Sequence, residues 1–378
     1  MSADYNSSGV IEMSAAQPTW LEIDLEAIRS NSSNIIRDTG TPLMAIVKAD
    51  AYGHGAVAVA QAAVAGGASW LGVARYGEAR ALRQSGIQTP VLVLGMVTAD
   101  EVDEAIASQV TLTLHSSETL DLFTARASAA GQVLGVHLKV DTGMGRLGIF
   151  AEDVLSFTRL ALASGRLKID GLYSHLAAAD EVQPANEAQF GRFQLALNAL
   201  EVNGLRPRWV HLANSAAAYY LPQTRFDLLR VGNVVLGLRI RVDSELPEHY
   251  RPALRWKAQL AACRLLPAGW PVGYGLTYIT PAEEWIGVVP VGYGDGLRRV
   301  PGNRVIIGGQ LCPVVGRLCL DQLMVRLPGR FPMGEEVVIV GQQGSESIQV
   351  HDLAALYQIS QVDFTSLIHS RVPRVCVP

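Results

Sequence analysis

The chain has 378 residues, of which 49% are hydrophobic and 17% are charged, and its formal net charge is -4 at pH 7. This length allows two domains, and the composition is typical of a folded globular protein rather than a disordered one. The small negative charge gives no electrostatic footprint for nucleic acid or an anionic membrane, so neither is an expected partner.

The first 17 residues are predicted to be a polar tail, because they lack the basic start and apolar core of a secretory signal. No uninterrupted apolar run approaches the roughly 18–20 residues that cross a bilayer. The four cysteines (Cys263, Cys312, Cys319 and Cys376) show no C-x-x-C spacing, which argues against a zinc site or a disulfide framework. We therefore expect a cytoplasmic protein with no metal site.

From residue 40 to about 235 the sequence alternates short apolar runs with longer stretches of helical spacing, and we assign residues 18–247 to this domain. The runs are apolar on both faces, as buried parallel strands are. The intervening stretches, such as EAQFGRFQLALNALEVNG, end near a glycine, which is a common helix stop. Eight strands separated by helices predict a closed (β/α)8 barrel. An open doubly wound sheet is the alternative, but no G-x-G-x-x-G follows the first strand. The predicted strands are residues 42–47, 70–74, 91–95, 110–114, 134–140, 169–174, 209–213 and 226–231.

Short alternating runs broken by Gly and Pro fill residues 252–345. This pattern predicts a mostly β C-terminal domain, which we assign to residues 248–378. The segment WLEIDLEAI at 20–28 could pair with that domain or open the barrel, and the sequence leaves both arrangements open.

Lys48 closes the first predicted barrel strand, in AIVKADAYGHG. Catalytic residues of such barrels collect at the carboxyl ends of the strands. Partial desolvation there would lower the pKa of the amine from about 10.4 and free it to attack an aldehyde. Tyr52 follows four residues later and can reach the same site. The alternative is a solvent-exposed lysine before a glycine-containing turn.

The segment AIVKADAYGHG resembles the cofactor-attachment motif of the alanine racemase family. The resemblance covers roughly residues 18–378 and implies a barrel of fold type III followed by a β domain. It also implies an isomerase that uses pyridoxal 5'-phosphate to interconvert L- and D-alanine and supplies D-alanine for peptidoglycan. The other matching motifs, in family order, are HLKVDTGMGRLGI at 137–149, YSHLAAADE at 173–181, HLANSAAA at 211–218, VGYG at 272–275, VGYGDG at 291–296, RLCLDQ at 317–322 and RVPR at 371–374.

The resemblance implies a role for each matching residue. Lys48 holds the cofactor and is one catalytic base, and Tyr274 is the base on the opposite face, polarised through His175 and Arg230. Arg230 faces the pyridine nitrogen, where a permanent positive charge leaves the nitrogen unprotonated and disfavours transamination. The other cofactor-binding residues are Tyr52, Arg146, Asn214, Ser215, Gly232 and Asn233.

The family pattern further implies substrate contacts, a modified lysine and an oligomer. Lys139 matches a lysine that is carbamylated in many members, and the alternative is an unmodified Lys139 paired with Asp141. Because Tyr274 belongs to the second domain and enters a partner's active site in the family, we expect a head-to-tail homodimer with shared active sites. The substrate-binding residues are Arg146, Tyr293, Leu320 and Asp321.

Three positions depart from the family pattern. Ser370 stands where many members carry a tyrosine that binds the cofactor phosphate. Its small side chain leaves space near the substrate methyl group, so we expect better tolerance of serine, which a hydrophobic pocket rejects only by roughly 10². Leu320 replaces a methionine, which is a near-isosteric exchange, and Leu236 replaces an aromatic residue without a clear consequence.

These departures keep other functions open. A serine or broad-specificity amino-acid racemase is the first alternative. A single-barrel protein that binds pyridoxal phosphate without turnover is the second, although it would lack the second domain. Decarboxylases of basic amino acids need a carboxylate at the pyridine nitrogen, and Arg230 argues against them.

Overall fold

The computed structural model describes residues 17–181, 183–241 and 244–378. The described chain divides into two compact units. The barrel unit comprises residues 28–51 and 59–251, and the strand unit comprises the described residues up to Ala27 together with Tyr52–Ala58 and Pro252–Pro378. The predicted polar tail lies, apart from Gln17, outside the described residues.

The secondary structure is given in chain order for the described residues. The strands are β1 Thr19–Asp24, β2 Leu43–Ile46, β3 Trp70–Val73, β4 Val91–Val93, β5 Thr111–Leu114, β6 Leu134–Lys139, β7 Leu167–Tyr173, β8 Trp209–His211, β9 Leu229–Val231, β10 Leu254–Gln259, β11 Ala262–Leu266, β12 Pro271–Val272, β13 Tyr278–Ile279, β14 Glu284–Val289, β15 Arg304–Ile307, β16 Gln310–Val315, β17 Leu323–Leu327, β18 Glu336–Gln343, β19 Glu346–Ile348 and β20 Arg374–Val377. The right-handed α-helices are Leu25–Thr39, Ala56–Ala65, Tyr76–Gln84, Ala99–Ala107, Ser117–Ala130, Val154–Ala163, Pro184–Glu201, Ser215–Tyr220, Val350–Tyr357 and Gln361–Leu367.

Eight parallel strands of the barrel unit form one sheet in the order β8-β7-β6-β5-β4-β3-β2-β9. The strands are almost wholly buried because they are packed on both faces, as the continuous apolar runs predict. The sheet nearly closes at its ends, where the Arg230 N–H donates to the Ala213 carbonyl at 3.0 Å and the Asp227 N–H donates to the Val210 carbonyl at 2.9 Å. The predicted (β/α)8 barrel is confirmed.

The strand unit is built on a sheet of ten strands, and β1 is one of its members. This strand pairs antiparallel with β10, with Ile23 opposite Leu254, and parallel with β20, with Ile23 opposite Cys376. The segment whose placement the sequence left open therefore pairs with the C-terminal strands. The predicted mostly-strand region after the barrel is confirmed.

Candidate active site

Lys48 lies directly beyond the carboxyl end of β2, where the Val47 N–H donates to the Gly72 carbonyl of β3 at 2.9 Å. The lysine is half-buried. Burial, followed by the charge of Arg146, lowers the pKa of the Lys48 amine, and the Glu78 carboxylate partly offsets this decrease. A lowered pKa increases the neutral, nucleophilic fraction of the amine at neutral pH.

The residues after Lys48 form a left-handed helical turn, which the sequence did not predict. The φ angles of Ala49, Asp50, Ala51 and Tyr52 are 52°, 54°, 51° and 52°. The Ala51 N–H closes the turn by donating to the Val47 carbonyl at 2.9 Å. Non-glycine residues adopt this conformation at a cost of about 1–2 kcal/mol each, so the turn requires stabilising contacts from its surroundings.

Arg230 on β9 is buried and donates five hydrogen bonds within the barrel unit. Its Nη1 reaches the His211 carbonyl at 2.9 Å and His211 Nδ1 at 3.0 Å. Its Nη2 reaches the carbonyls of Ser174 at 2.6 Å and Leu212 at 3.1 Å, and His175 Nδ1 at 3.2 Å. Burial lowers the pKa of Arg230 to about 10, which leaves the guanidinium charged at neutral pH.

Arg230 also fixes the tautomers of two imidazoles. A guanidinium only donates, so Nδ1 of both His175 and His211 accepts, and the proton of each neutral ring is on Nε2. The His211 Nε2–H then donates to His137 Nδ1 at 2.9 Å. Burial and the Arg230 charge hold the pKa of all three histidines below the usual value, that of His137 at about 3, so the rings are neutral. His175 therefore presents an N–H donor.

His137 and His211 are site residues to which sequence reasoning gave no role. Each interrupts an otherwise apolar strand, LGVHLKV and WVHLA, and this was the available signal. The strand opposite His137 accommodates its ring, because a Cβ at Gly171 would lie 2.5 Å from the imidazole. Glycine at that position therefore makes space for the side chain.

Lys139 ends β6 and is buried, with its Nζ 4.8 Å from the centre of the Tyr173 ring. Burial and then the charges of Arg230 and Arg146 lower its pKa to about 7. The nearby Asp141 carboxylate accepts the backbone N–H groups of Gly143, Met144 and Gly145 at 2.9–3.2 Å. It thereby orders the loop that leads to the exposed Arg146.

The helix start after β8 meets the turn after β9. Asn214 caps helix Ser215–Tyr220, because its side chain accepts the Ala217 N–H at 3.0 Å. The Ser215 hydroxyl accepts the Gly232 N–H at 3.3 Å. Asn233 opens the 3-10 turn Asn233–Leu236 directly after Gly232. These groups gather hydroxyl and amide donors of the kind that bind phosphate.

The other predicted site residues lie in the strand unit. Tyr52 ends the left-handed turn, and Tyr274 opens a 3-10 turn, Tyr274–Leu276, with 68% of its surface exposed. The Arg299 guanidinium stacks on the Tyr293 ring, with 3.9 Å between its Cζ and the centre of the ring.

Leu320 and Asp321 share a partner in this unit. The Leu320 carbonyl accepts from Arg371 Nη2 at 3.4 Å, and the Asp321 carboxylate pairs with Arg371 Nη1 at 2.7 Å. Of the positions that depart from the family pattern, Ser370 is exposed and Leu236 is buried in the 3-10 turn of the barrel unit.

Among residues 17–181, 183–241 and 244–378, no group of three or more His, Cys, Asp or Glu side chains is placed to hold a metal ion. Within the same residues, no helix combines the length and the apolar character of a membrane span.

Comparison with known proteins assigns the chain to a family. The model of the alanine racemase N-terminal domain matches residues 23–240, and that of the alanine racemase C-terminal domain matches residues 253–376. Alanine racemase of Symbiobacterium thermophilum is 40% identical over 96% of this chain and 98% of its own length. Alanine racemase of Geobacillus stearothermophilus is 41% identical over 94% of this chain and 93% of its own length.

Solved structures agree with these matches. Alanine racemase from E. faecalis superposes with a TM-score of 0.89 at 37% identity and covers 96% of this chain and 98% of its own. The Bacillus anthracis enzyme with bound L-Ala-P superposes with a TM-score of 0.89 at 34% identity, covering 97% and 96%. The chain is therefore a barrel enzyme of the isomerase class. It belongs to the alanine racemase family, and its reaction is the racemisation of alanine.

Proposed function

We propose that the chain racemises alanine by two-base proton transfer, with pyridoxal 5'-phosphate attached to Lys48 and Tyr274 as the second base. The observation that carries this proposal is the position of Lys48, a half-buried amine with a lowered pKa at the carboxyl end of a barrel strand. Racemisation needs a proton acceptor on one face of the substrate Cα and a donor on the other. The Lys48 Nζ and the Tyr274 Oη are groups suited to these two roles.

The residues of the barrel unit fit an anionic cofactor. Burial and cationic neighbours lower the pKa values of Lys48 and Lys139, and burial alone lowers that of Arg230. These three side chains therefore concentrate positive charge in the barrel unit. A phosphate and a substrate carboxylate would relieve this excess. When bound, pyridoxal 5'-phosphate supplies the electron sink that makes the α-hydrogen of an amino acid acidic. The residues that would hold it are Lys48, Tyr52, Arg146, Asn214, Ser215, Arg230, Gly232 and Asn233.

The surrounding side chains would orient the reacting groups. Arg146 would bind the substrate carboxylate, and Arg230 would keep a positive charge at the pyridine nitrogen. His175, which presents its Nε2–H, would hydrogen-bond the Tyr274 phenol of a partner subunit and set its orientation. Tyr293, Leu320 and Asp321 would line the substrate entrance.

The proposed assembly is a head-to-tail homodimer that shares its active sites. Support comes from the segment around Tyr274, where Leu276 is 62% exposed and Ile279 is 55% exposed. Neighbouring exposed apolar side chains are typical of a protein–protein contact. Dilution that dissociates the dimer should abolish turnover, and full activity of a monomer demonstrated by sedimentation would contradict the assembly.

We also propose that Lys139 carries a carbamate. An amine with a pKa of about 7 is substantially neutral at physiological pH, and only the neutral amine adds to carbon dioxide. The negative carbamate would offset the positive charges of Arg146 and Arg230. An unmodified, protonated Lys139 would instead be repelled by these two charges. In the cell, we place the enzyme in the cytoplasm, where it would supply D-alanine for peptidoglycan.

Borohydride reduction followed by peptide mass spectrometry tests the attachment site directly. The proposal predicts a pyridoxyl group on Lys48, and a modification at another lysine would contradict it. Polarimetry with L-alanine, L-serine and L-lysine then tests the reaction. Inversion without release of carbon dioxide is expected, release would indicate a decarboxylase, and no change would indicate a binding protein without turnover.

A second candidate is a racemase that also accepts serine, and Ser370 favours it. This small, exposed residue replaces the tyrosine of many family members. The measurement is kcat/KM for L-serine beside L-alanine, compared with a Ser370→Tyr variant. A serine value within roughly 10² of the alanine value, decreasing in the variant, would support broad specificity. A value many thousandfold lower would end this proposal.

A further inference from the structure

Glu78 makes contacts beyond those of an ordinary helix cap. It occupies the third position of helix Tyr76–Gln84, and its Oε2 accepts the N–H groups of Ala74 at 2.8 Å and Arg75 at 2.9 Å. The bond to Arg75 closes a capping box. The second oxygen, Oε1, accepts the N–H of Ala49 at 2.5 Å. Ala49 directly follows Lys48 and is the first residue of the left-handed turn.

The pairing of β2 and β3 explains why the Glu78 carboxylate contacts backbone N–H groups after both strands. Ile46 is opposite Gly72 in the parallel pair, so the two strands end side by side. The helix after β3 therefore starts beside the chain that leaves β2. One carboxylate can then bind backbone groups that follow both strands, and the left-handed turn gains a charged hydrogen bond at its first N–H.

We infer that Glu78 is a positioning residue, which holds the left-handed turn after Lys48 and thereby fixes where the lysine side chain starts. This inference deepens the proposed function, since it assigns a role toward the same lysine. The Glu78 carboxylate also stabilises the charged form of the Lys48 amine and so raises its pKa, whereas burial and the Arg146 charge lower it. The charge of Lys48 in turn lowers the pKa values of Lys139 and His175, which are mainly lowered by burial.

The chain provides a matched control one strand further along the barrel. Glu101 closes the same kind of box on helix Ala99–Ala107, with the Thr98 N–H donating to its Oε2 at 2.8 Å. Among the described residues, the bonds of the Glu101 side chain stay within its own box. Glu101→Gln therefore removes a helix-capping carboxylate without removing any contact to the turn after Lys48.

The first readout is the pKa of the Lys48 amine, obtained from the pH dependence of its acylation in the full-length, cofactor-free chain. Glu78→Gln should lower this pKa by about 0.5 units or more because a stabilising charge is lost. Lys168, an exposed lysine of the same chain that pairs with Asp170, is the internal reference in the same sample, and its pKa should not change. Glu101→Gln should leave both values unchanged. Equal Lys48 pKa values in the two glutamine variants would overturn the electrostatic part of the inference.

The second readout is kcat of the cofactor-loaded enzyme. Glu78→Gln should reduce kcat by about 10-fold, because small displacements of a reacting group are costly, while Glu101→Gln keeps kcat near the wild-type value. Ala49→Gly in the Glu78→Gln background should recover kcat, since glycine adopts positive φ without strain, but should not restore the pKa. A kcat of Glu78→Gln equal to that of Glu101→Gln would overturn the positioning role.

A third variant applies if Glu78→Gln does not fold. Glu78→Asp should fold, because Asp352 and Asp363 close equivalent boxes in this chain. Its shorter side chain should no longer reach the Ala49 N–H, and kcat should therefore decrease. An unchanged kcat would contradict the inference. Borohydride trapping in the wild-type chain keeps the two proposals separate. A pyridoxyl group elsewhere than Lys48 removes the proposed attachment site, whereas trapping at Lys48 with indistinguishable glutamine variants removes only the role of Glu78.

Discussion

The barrel unit and the strand unit hold their site residues in opposite environments. In the barrel unit, Lys139 and Arg230 are buried, and burial moves their pKa values far from the ordinary range. In the strand unit, Tyr274 and Asp321 are exposed, and Asp321 is held by a surface ion pair with Arg371. Neighbouring groups of the barrel unit therefore set the pKa values of its site residues, whereas Tyr274 would acquire a buried environment from the partner in the proposed homodimer.

The largest expected effect tests the barrel half of this comparison. Lys48→Ala should reduce kcat by roughly 10⁴-fold or more, because it removes both the nucleophile and one base. The control is Lys168→Ala, since Lys168 is an exposed lysine on β7 that pairs with Asp170 at 2.7 Å. Steady-state racemisation of both enantiomers is the measurement. Comparable activity of the two variants would remove Lys48 from the chemistry.

Arg230 tests whether the buried network is also structural. Arg230→Ala leaves the carbonyls of Ser174, His211 and Leu212 without their buried donor. We expect the free energy of unfolding to decrease by about 3–5 kcal/mol. Arg206 lies at the surface and pairs with Glu201 and Asp227. Arg206→Ala should therefore decrease the free energy of unfolding by less than about 1 kcal/mol. Urea titration measures both, and equal losses would contradict the contrast between buried and exposed groups.

Protonation of Lys139 should have a smaller effect on the stability of the folded chain, and this effect should depend on pH. Its folded pKa of about 7 is below the ordinary value of 10.5. Its protonation therefore destabilises the folded chain fully below about pH 7, and this cost declines as the pH rises toward the unfolded value. The neutral amine needed for carbamylation is available over the same range.

Bicarbonate should thus raise Tm by about 2 °C or more near pH 8 and have little effect below about pH 6. Thermal unfolding with and without bicarbonate is the measurement. A Lys139→Ala variant should not respond at either pH. An equal response of that variant would assign the effect to another site.

The sequence predicted the barrel well because its strands are short apolar runs, and it failed where local contacts override propensity. The predicted strand 226–231 begins only at Leu229, because Phe226 has a φ of 47° and the Asp227 side chain binds the Val210 N–H at 2.9 Å. The left-handed turn after Lys48 is built from residues such as Ala49, which give no local signal for it.

For the site, Lys48, His175 and Arg230 are predicted through resemblance to a family, and the structure brings His175 and Arg230 into hydrogen-bond contact. The sequence did not indicate Glu78, because a glutamate at the third helix position is adequately explained as a cap. Only the pairing of β2 with β3 brings its second oxygen to Ala49.

In the proposed mechanism two bases act on opposite faces of the substrate, and α-hydrogen exchange in deuterated water tests this most directly. Tyr278 supplies a matched control, since its hydroxyl donates to Glu284 within the strand unit at 2.6 Å. Tyr274→Phe should exchange the α-hydrogen of one alanine enantiomer while forming almost none of the other, and Tyr278→Phe should exchange and invert both. Exchange of both enantiomers at wild-type rates in Tyr274→Phe would contradict the two-base account.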